Sequence, residues 1–97
     1  IDLHGYSSTE AKIKSIEFTT KNFLLGLRLI LIITGKGKNK KNDLNEKNKN
    51  NGVLRKSLKA WLYDSHMRPN ILGIIPSHIN HGGDGAFYVY LKNNKNL

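Results

Sequence analysis

The sequence predicts a small α/β domain in which helices pack against a sheet, a two-layer sandwich of order β-α-β-α-β-β. With 97 residues, the chain has room for one modest hydrophobic core but not for two. Short runs of branched apolar residues alternate with segments of helical periodicity, which implies crossover connections between strands. The last two strands, joined by a Gly-rich connection, could pair antiparallel.

The first strand and the first helix are predicted at the start of the chain. Ile1–Gly5 alternates apolar and polar residues and then reaches glycine, as at the end of a strand. Ser7 and Glu10 have the spacing of a capping box, so a helix is expected from about Thr9 to Leu25. Gly26 is a suitable residue to end it in a left-handed conformation. The residues nearest one face of this helix are Ala11, Ser15, Phe18 and Leu25.

Three further strands and a second helix follow. Residues 28–34 are rich in branched side chains and predict a buried strand. Residues 53–64 predict a helix, because four large apolar side chains recur on one face. They are Leu54, Leu58, Trp61 and Leu62. Short strands are expected at 71–75 and 86–91, the latter with Tyr88 and Tyr90 on the face opposite Phe87, Val89 and Leu91.

Two segments lack the periodicity of packed structure. Residues 38–51 are a Lys/Asn-rich stretch, predicted to be a flexible basic surface loop inside a domain that spans residues 1–92. Residues 93–97 are predicted to be a frayed tail. We expect the loop to contribute to affinity for an anionic partner rather than to a chemical step, although a solvated insertion without a role is the alternative.

The charge of the chain favours a nucleic-acid partner. Sixteen lysines and arginines stand against seven acidic residues, giving a net charge of +9. Codon bias toward lysine and asparagine is the competing explanation. No cysteine is present, which excludes disulfides and cysteine-zinc sites. We see no signal peptide and no apolar run near the ~20 residues of a membrane span, so a cytoplasmic protein without membrane contact is expected.

The first candidate motif is Asp2-Leu3-His4-Gly5. On a strand, Asp2 and His4 project from the same face, where a carboxylate can orient an imidazole that titrates near neutral pH. Gly5 leaves the backbone open to a substrate. By spacing alone, an ordinary surface pair is the simpler interpretation.

The second motif is Thr34-Gly35-Lys36-Gly37, directly after a predicted strand. Glycines let a backbone approach a phosphate, and Lys36 adds charge. Ligands of sheets with crossover helices gather beyond the carboxyl ends of strands, so this motif should lie beside His4. A simple turn that ends the strand is the alternative. The pattern of a phosphate-binding loop of nucleotide hydrolases is absent.

A third motif surrounds Gly82 and Gly83. His78 and His81 precede them at a spacing that metal sites use, but no third ligand is evident, and no metal is predicted. A Gly-rich loop that lines the same end of the sheet is the favoured interpretation. The tyrosines near the end of the chain could stack on bases, although packing across strands explains them more simply.

In order along the chain, these residues resemble the Smr (small MutS-related) domain family. Ile1-Asp2-Leu3-His4-Gly5 resembles the family's opening LDLHG motif, and Glu10-Ala11 its helix start. Ile32-Ile33-Thr34-Gly35-Lys36-Gly37 resembles its second signature. Gly52-Val53-Leu54-Arg55 with Trp61-Leu62, and Gly82-Gly83-Asp84-Gly85-Ala86, resemble its later helix and closing strand. The ending is most similar to stand-alone bacterial members.

The resemblance implies a fold and a set of site residues. The fold would be similar to the C-terminal domain of bacterial translation initiation factor three. Family members act as DNA-nicking endonucleases or as RNA endonucleases, some of which cut messenger RNA at stalled ribosomes. Asp2 and His4 would be catalytic. The residues expected to contact nucleic acid are Gly5, Thr34, Gly35, Lys36, Gly37, Arg55, Gly82 and Gly83.

We therefore predict an endonuclease that cleaves RNA phosphodiester bonds, with the ribosome as a candidate partner. Cleavage of RNA would need no cofactor, because His4 could activate the adjacent 2′-hydroxyl. Cleavage of DNA would need water or a divalent metal ion, and Asp2 alone provides few ligands for a metal. The alternatives are a DNA-nicking endonuclease and a module that binds nucleic acid without cutting it.

Overall fold

The computed structural model describes residues 1–35, 46–77 and 85–94 and, within 46–52, the backbone only. Within these residues, two helices, three strands and the 3-10 turn at Arg68–Asn70 form one α/β unit. In chain order they are α1 (Ser8–Leu24), β1 (Leu29–Ile33), α2 (Glu46–Tyr63), the 3-10 turn (Arg68–Asn70), β2 (Ile71–Ser77) and β3 (Ala86–Leu91). No helix in these described ranges is long and apolar enough to cross a membrane.

The sheet has the order β1-β3-β2, and β3 is antiparallel to both neighbours. The predicted antiparallel pairing of the last two strands is confirmed. The predicted first strand, Ile1–Gly5, is reduced to one parallel bridge between Asp2 and Ile33 at the outer edge of β1. The reason is local: Gly5 has a φ of 88°, which turns the chain away from the sheet after residue 4.

Both helices contribute to a core on one face of the sheet. Leu54, Leu58 and Leu62, at successive turns of α2, have no exposed surface, as the predicted apolar face requires. Trp61 lies at the margin of this face and is half-buried against the core. The buried strand residues that meet the helices are Ile30, Ile32, Ile74, Phe87, Val89 and Leu91.

The start and end of α1 follow from local sequence. Ser7 and Glu10 form the predicted capping box. At the other end, Gly26 has a φ of 87° and its amide donates to the Phe23 carbonyl, while the Leu27 amide donates to the Asn22 carbonyl. These two bonds form a Schellman motif, so the predicted end at Gly26 is confirmed.

The buried face of α1 is more polar than predicted. Its buried residues are Ala11, Ser15, Thr19 and Asn22. The Thr19 hydroxyl and the Asn22 amide donate to carbonyls one turn earlier, so their burial leaves no side-chain donor unsatisfied. Leu25, predicted on this face, is exposed because the helix ends at Leu24.

The prediction of a frayed tail over residues 93–97 is wrong for Asn94. This residue is buried, and its side-chain amide donates to the Phe23 carbonyl at 3.1 Å. The Phe23 carbonyl, which also accepts the Gly26 amide, thus gains a second donor at the end of α1. Residues 95–97 lie outside the described part.

The loop prediction needs a similar correction at its C-terminal end. Helix α2 begins at Glu46 rather than at Val53, so residues 46–51 of the predicted loop 38–51 are helical. Once Leu54 and the later leucines anchor the helix, each further turn toward the N-terminus needs only propagation, which requires no apolar stripe. Residues 36–45 lie outside the described part.

Leu58→Ala tests the placement of the core. Because Leu58 has no exposed surface, its truncation leaves a cavity and should lower the free energy of unfolding by about 2–5 kcal/mol. The matched control is Leu24→Ala, since Leu24 is exposed on α1. Urea unfolding followed through Trp61 fluorescence measures both, and equal midpoints for the two variants would refute the assignment of the core.

Candidate nucleic-acid site

The first three residues are fixed along the edge of β1. The Ile33 amide donates to the Ile1 carbonyl at 2.8 Å, and the Leu3 amide donates to the Ile33 carbonyl at 2.6 Å. The Leu3 side chain is fully buried in the core. Because successive residues of extended chain point to opposite faces, Asp2 projects from the face that the helices leave uncovered.

A tight turn then presents His4. The Tyr6 amide donates to the Leu3 carbonyl at 3.1 Å, which closes a turn with His4 and Gly5 at its centre. The φ of 88° at Gly5 is the left-handed value that a type II turn requires at this position. Gly5 was predicted to leave the backbone open to a substrate. Its left-handed conformation also determines where the turn places His4.

Asp2 and His4 form a close pair. The Asp2 Oδ1 lies 2.8 Å from the His4 Nδ1 and also accepts the His4 backbone amide at 3.0 Å. The His4 side chain is 63% exposed and that of Asp2 is 48% exposed. The carboxylate thus fixes the ring from one side, and the rest of the imidazole faces solvent.

The protonation of this pair follows from its contacts. Burial, the largest single influence, would raise the pKa of Asp2, but the hydrogen bonds from the His4 backbone and ring and the charge of His4 together lower it. Asp2 is therefore ionised at neutral pH, and its bonds to His4 are lost only as pH falls through the lowered pKa. An ionised carboxylate only accepts, so Nδ1 of the neutral ring must carry the proton, and Nε2 has the free lone pair.

The predicted second motif lies beside the pair, since Thr34 directly follows Ile33. The Gly85 carbonyl accepts the Thr34 amide at 2.7 Å and the Gly35 amide at 3.0 Å, and the Thr34 hydroxyl lies 3.2 Å from it. These contacts join the end of β1 to the start of β3. Thr34 and Gly35, the described half of the motif, therefore lie at the same end of the sheet as the Asp2–His4 pair, as predicted for them.

Two of the predicted binding residues have structural roles there. Thr34 is fully buried, so its side chain has no surface with which to contact nucleic acid. The Gly35 amide is committed to Gly85, so it cannot also donate to a phosphate oxygen. Gly35 has a φ of 91°, so the conformation of the turn is by itself a sufficient reason for glycine at this position.

Several predicted residues lie outside the described part of the chain. They are Lys36, Gly37, Gly82 and Gly83, together with His78 and His81. Within residues 1–35, 46–77 and 85–94, no group of three histidines or carboxylates is placed to hold a metal ion.

Arg55 lies in a basic hollow that the sequence analysis only partly anticipated. Arg55, Lys56 and Lys59 line a hollow of about 310 Å³ with Pro76 and Phe87. All three cations are exposed. The signal was the spacing of Lys59, four residues after Arg55 and three after Lys56, which makes it a neighbour of both on the helix surface.

A second basic hollow was missed, and it adjoins the His4 turn. It measures about 240 Å³, and its lining includes Ile1, Tyr6, the cations Lys14 and Lys21 and one carboxylate, Glu17. The Lys14 Nζ lies 5.2 Å from the centre of the Tyr6 ring, within cation–π range. The available signal was the seven-residue spacing of the two lysines, two helical turns apart.

Gly5→Ala tests the turn that presents His4. A side chain at a φ of 88° should cost about 1–2 kcal/mol of stability, because its Cβ approaches the following carbonyl. Gly73→Ala is the matched control: Gly73 lies in β2 and a Cβ there meets nothing within 4 Å. Thermal unfolding compares them, and a Gly5→Ala protein as stable as the control would contradict the described turn.

Comparison with known proteins identifies a family and solved structures with the same fold. The family model of the Smr domain matches residues 1–92. The Smr domain of Thermus thermophilus MutS2 superposes with a TM-score of 0.73 at 22% identity over 95% of each chain. YdaL, a stand-alone small MutS-related protein from Escherichia coli, superposes with a TM-score of 0.76 at 26% identity; the match covers 96% of this chain and 63% of YdaL. The comparison with curated proteins yields no match. The chain belongs to the Smr domain family.

Proposed function

We propose that this Smr domain cleaves RNA phosphodiester bonds, with His4 as the group that transfers protons and Asp2 as the residue that positions it. The observation that carries the proposal is the 2.8 Å contact between Asp2 Oδ1 and His4 Nδ1 on an exposed turn. In the neutral ring, this contact leaves the Nε2 lone pair free, on a side chain that is largely exposed. The Smr family is a nuclease-associated, nucleic-acid-binding family, which agrees with this chemistry.

The proposed step uses only groups of the chain and the substrate. His4 Nε2 removes the proton of a ribose 2′-hydroxyl, the 2′ oxygen bonds to the adjacent phosphorus, and the P–O5′ bond breaks. The products are a 2′,3′-cyclic phosphate and a 5′-hydroxyl, whose proton comes from the protonated His4 or from solvent. Asp2 favours the reaction by stabilising the positive charge that the ring gains.

RNA is the proposed substrate because DNA lacks the internal nucleophile. For DNA, a water molecule would have to attack, usually with a metal ion, and the only carboxylate bonded to His4 in the described residues is Asp2. We propose that RNA cleavage needs no cofactor and that a divalent metal ion would be required for DNA. Messenger RNA on ribosomes in the cytoplasm is the proposed setting.

Stabilisation of charge on the phosphate must come from elsewhere than the Gly35 amide, which is occupied. We assign this role to Lys36 and to the Gly37 amide, next along the same turn, by their place in the sequence. Because no free backbone donor lies beside His4 among the described residues of that turn, binding without cleavage is the second candidate function.

His4→Ala separates cleavage from binding. Loss of the proton-transfer group should slow cleavage of a labelled single-stranded RNA in EDTA by about 10²–10⁴-fold, with RNA affinity retained. His66→Ala is the matched control, since His66 is exposed and contacts Thr20, toward the end of α1 that is distant from the His4 turn. Full activity of His4→Ala, or an inactive parent protein that still binds RNA, would establish the alternative of a binding module.

The hollow around Arg55 predicts the salt dependence of binding. Replacing Lys56 and Lys59 with Gln should reduce the slope of log affinity against log salt by about 0.7 for each cation that contacts a single strand. The charge-preserving control replaces both with Arg. A slope that is the same in the Gln and Arg double variants would exclude this hollow from the binding surface.

A further inference from the structure

The face of the sheet opposite the helices carries exposed apolar side chains, and neither described helix packs on it. It carries Leu29, Leu72, Ile75 and Tyr90, which are 50%, 61%, 51% and 38% exposed. The three strands contain no acidic residue. A soluble domain rarely exposes so many large apolar side chains on one surface unless something binds there.

Register places this face next to the Asp2–His4 pair. Asp2 is bridged to Ile33, and Ile33 is paired with Ala86, so these residues form one row across the sheet. The next row on the same face contains Tyr88, paired with Leu31 and Ile75. From strand spacings, Tyr88 lies about 12 Å from Asp2 between Cα atoms.

A hollow lies one row further along. Leu72, Gly73, Ile75 and Tyr90 line it, and its volume is about 320 Å³. Gly73 is opposite Tyr90, beside an irregularity in the pairing of β2, and a Cβ at this position would meet nothing within 4 Å. Neither packing nor a positive φ thus requires glycine here. A glycine in a strand often marks the close approach of a ligand.

Cations lie beyond the far end of this face. Arg28 precedes Leu29, and its carbonyl accepts the Leu91 amide, so Arg28 and Lys92 lie beyond the row formed by Leu29 and Tyr90. Both are exposed. By strand alternation Lys92, next to the core residue Leu91, lies on the side of Tyr90. The exposed part of the face, around Tyr90, therefore has Lys92 at one end and the Asp2–His4 pair two rows away at the other, beyond a row in which Ala86 and Ser77 are buried.

We propose that this face binds the unpaired bases of a single-stranded nucleic acid, with Tyr90 as a stacking platform beside the Gly73 hollow. The inference rests on the proposed function, which places the scissile phosphate of the nucleic acid at His4. It adds that the substrate is single-stranded. An exposed aromatic ring on a sheet face that ends at a cation is an arrangement that suits unpaired bases, because bases in a duplex are already stacked. A second copy of the chain fits less well, since both copies would carry a net charge of +9.

The test measures affinity without cleavage. The probe is a labelled single-stranded RNA with 2′-O-methyl groups, which cannot be cut through the 2′ oxygen, and a blunt duplex of the same sequence. Fluorescence anisotropy compares the parent protein with Tyr90→Ala, Tyr90→Phe and Gly73→Val. Leu24→Ala, which removes an exposed apolar side chain from the helical layer, is the matched control.

Tyr90→Ala should weaken single-strand binding by about 5- to 150-fold, the equivalent of ~1–3 kcal/mol for a stacked base. Gly73→Val should weaken it while the melting temperature is maintained, because the new side chain fills the hollow and not the core. Tyr90→Phe keeps the ring and should bind like the parent protein, as should Leu24→Ala. Duplex affinity should be the same in all variants.

Unchanged single-strand affinity of Tyr90→Ala would overturn the proposal, and so would an equal loss on the duplex. A parent dimer that Tyr90→Ala converts to a monomer, with affinity unchanged, would identify the face as a contact between copies and would also overturn it. Because the probe cannot be cut, binding is measured independently of cleavage. A protein that cleaves no RNA but still needs Tyr90 for binding would refute the proposed nuclease function and support the proposed binding face.

Discussion

The candidate site depends on the short parallel pairing between the first three residues and Ile33. Two backbone hydrogen bonds and the burial of Leu3 hold this segment to the edge of β1. Without them, Asp2 and His4 would lie on an unanchored stretch of chain, and chemistry requires geometry held to about 0.5 Å. Since only Asp2 is formally bridged, the turn at Gly5 and the buried Leu3 must supply the remaining rigidity.

Some residues of the candidate site stabilise its structure, whereas others are exposed to solvent. The Gly85 carbonyl accepts hydrogen bonds from Thr34 and Gly35 and so holds the end of β1 against the start of β3. Motif residues that a sequence comparison groups together thus have different physical roles. Thr34 and Gly35 shape the turn, whereas the exposed His4 is available to a substrate.

Local rules allowed much of this fold to be predicted, and tertiary contacts account for the rest. The capping box at Ser7 and the left-handed Gly26 depend on neighbours within a few residues, so sequence identified both. The burial of Asn94 depends on a carbonyl of α1 distant in sequence, and no local pattern predicts it. The proximity of Asp2 and His4 was predicted from strand alternation, although a turn at Gly5, and not a strand, presents His4. The commitment of the Gly35 amide to Gly85 was not predictable, because a glycine motif does not say where its amides point.

The central claim is that His4 activates a 2′-hydroxyl on a strand bound at this end of the sheet. The most direct measurement is mass spectrometry of the ends of RNA fragments produced by the chain in EDTA. The account predicts a 2′,3′-cyclic phosphate, or the phosphate formed by its hydrolysis, on one fragment and a 5′-hydroxyl on the other. Fragments with a 3′-hydroxyl and a 5′-phosphate, or cleavage that requires an added divalent metal ion, would contradict it.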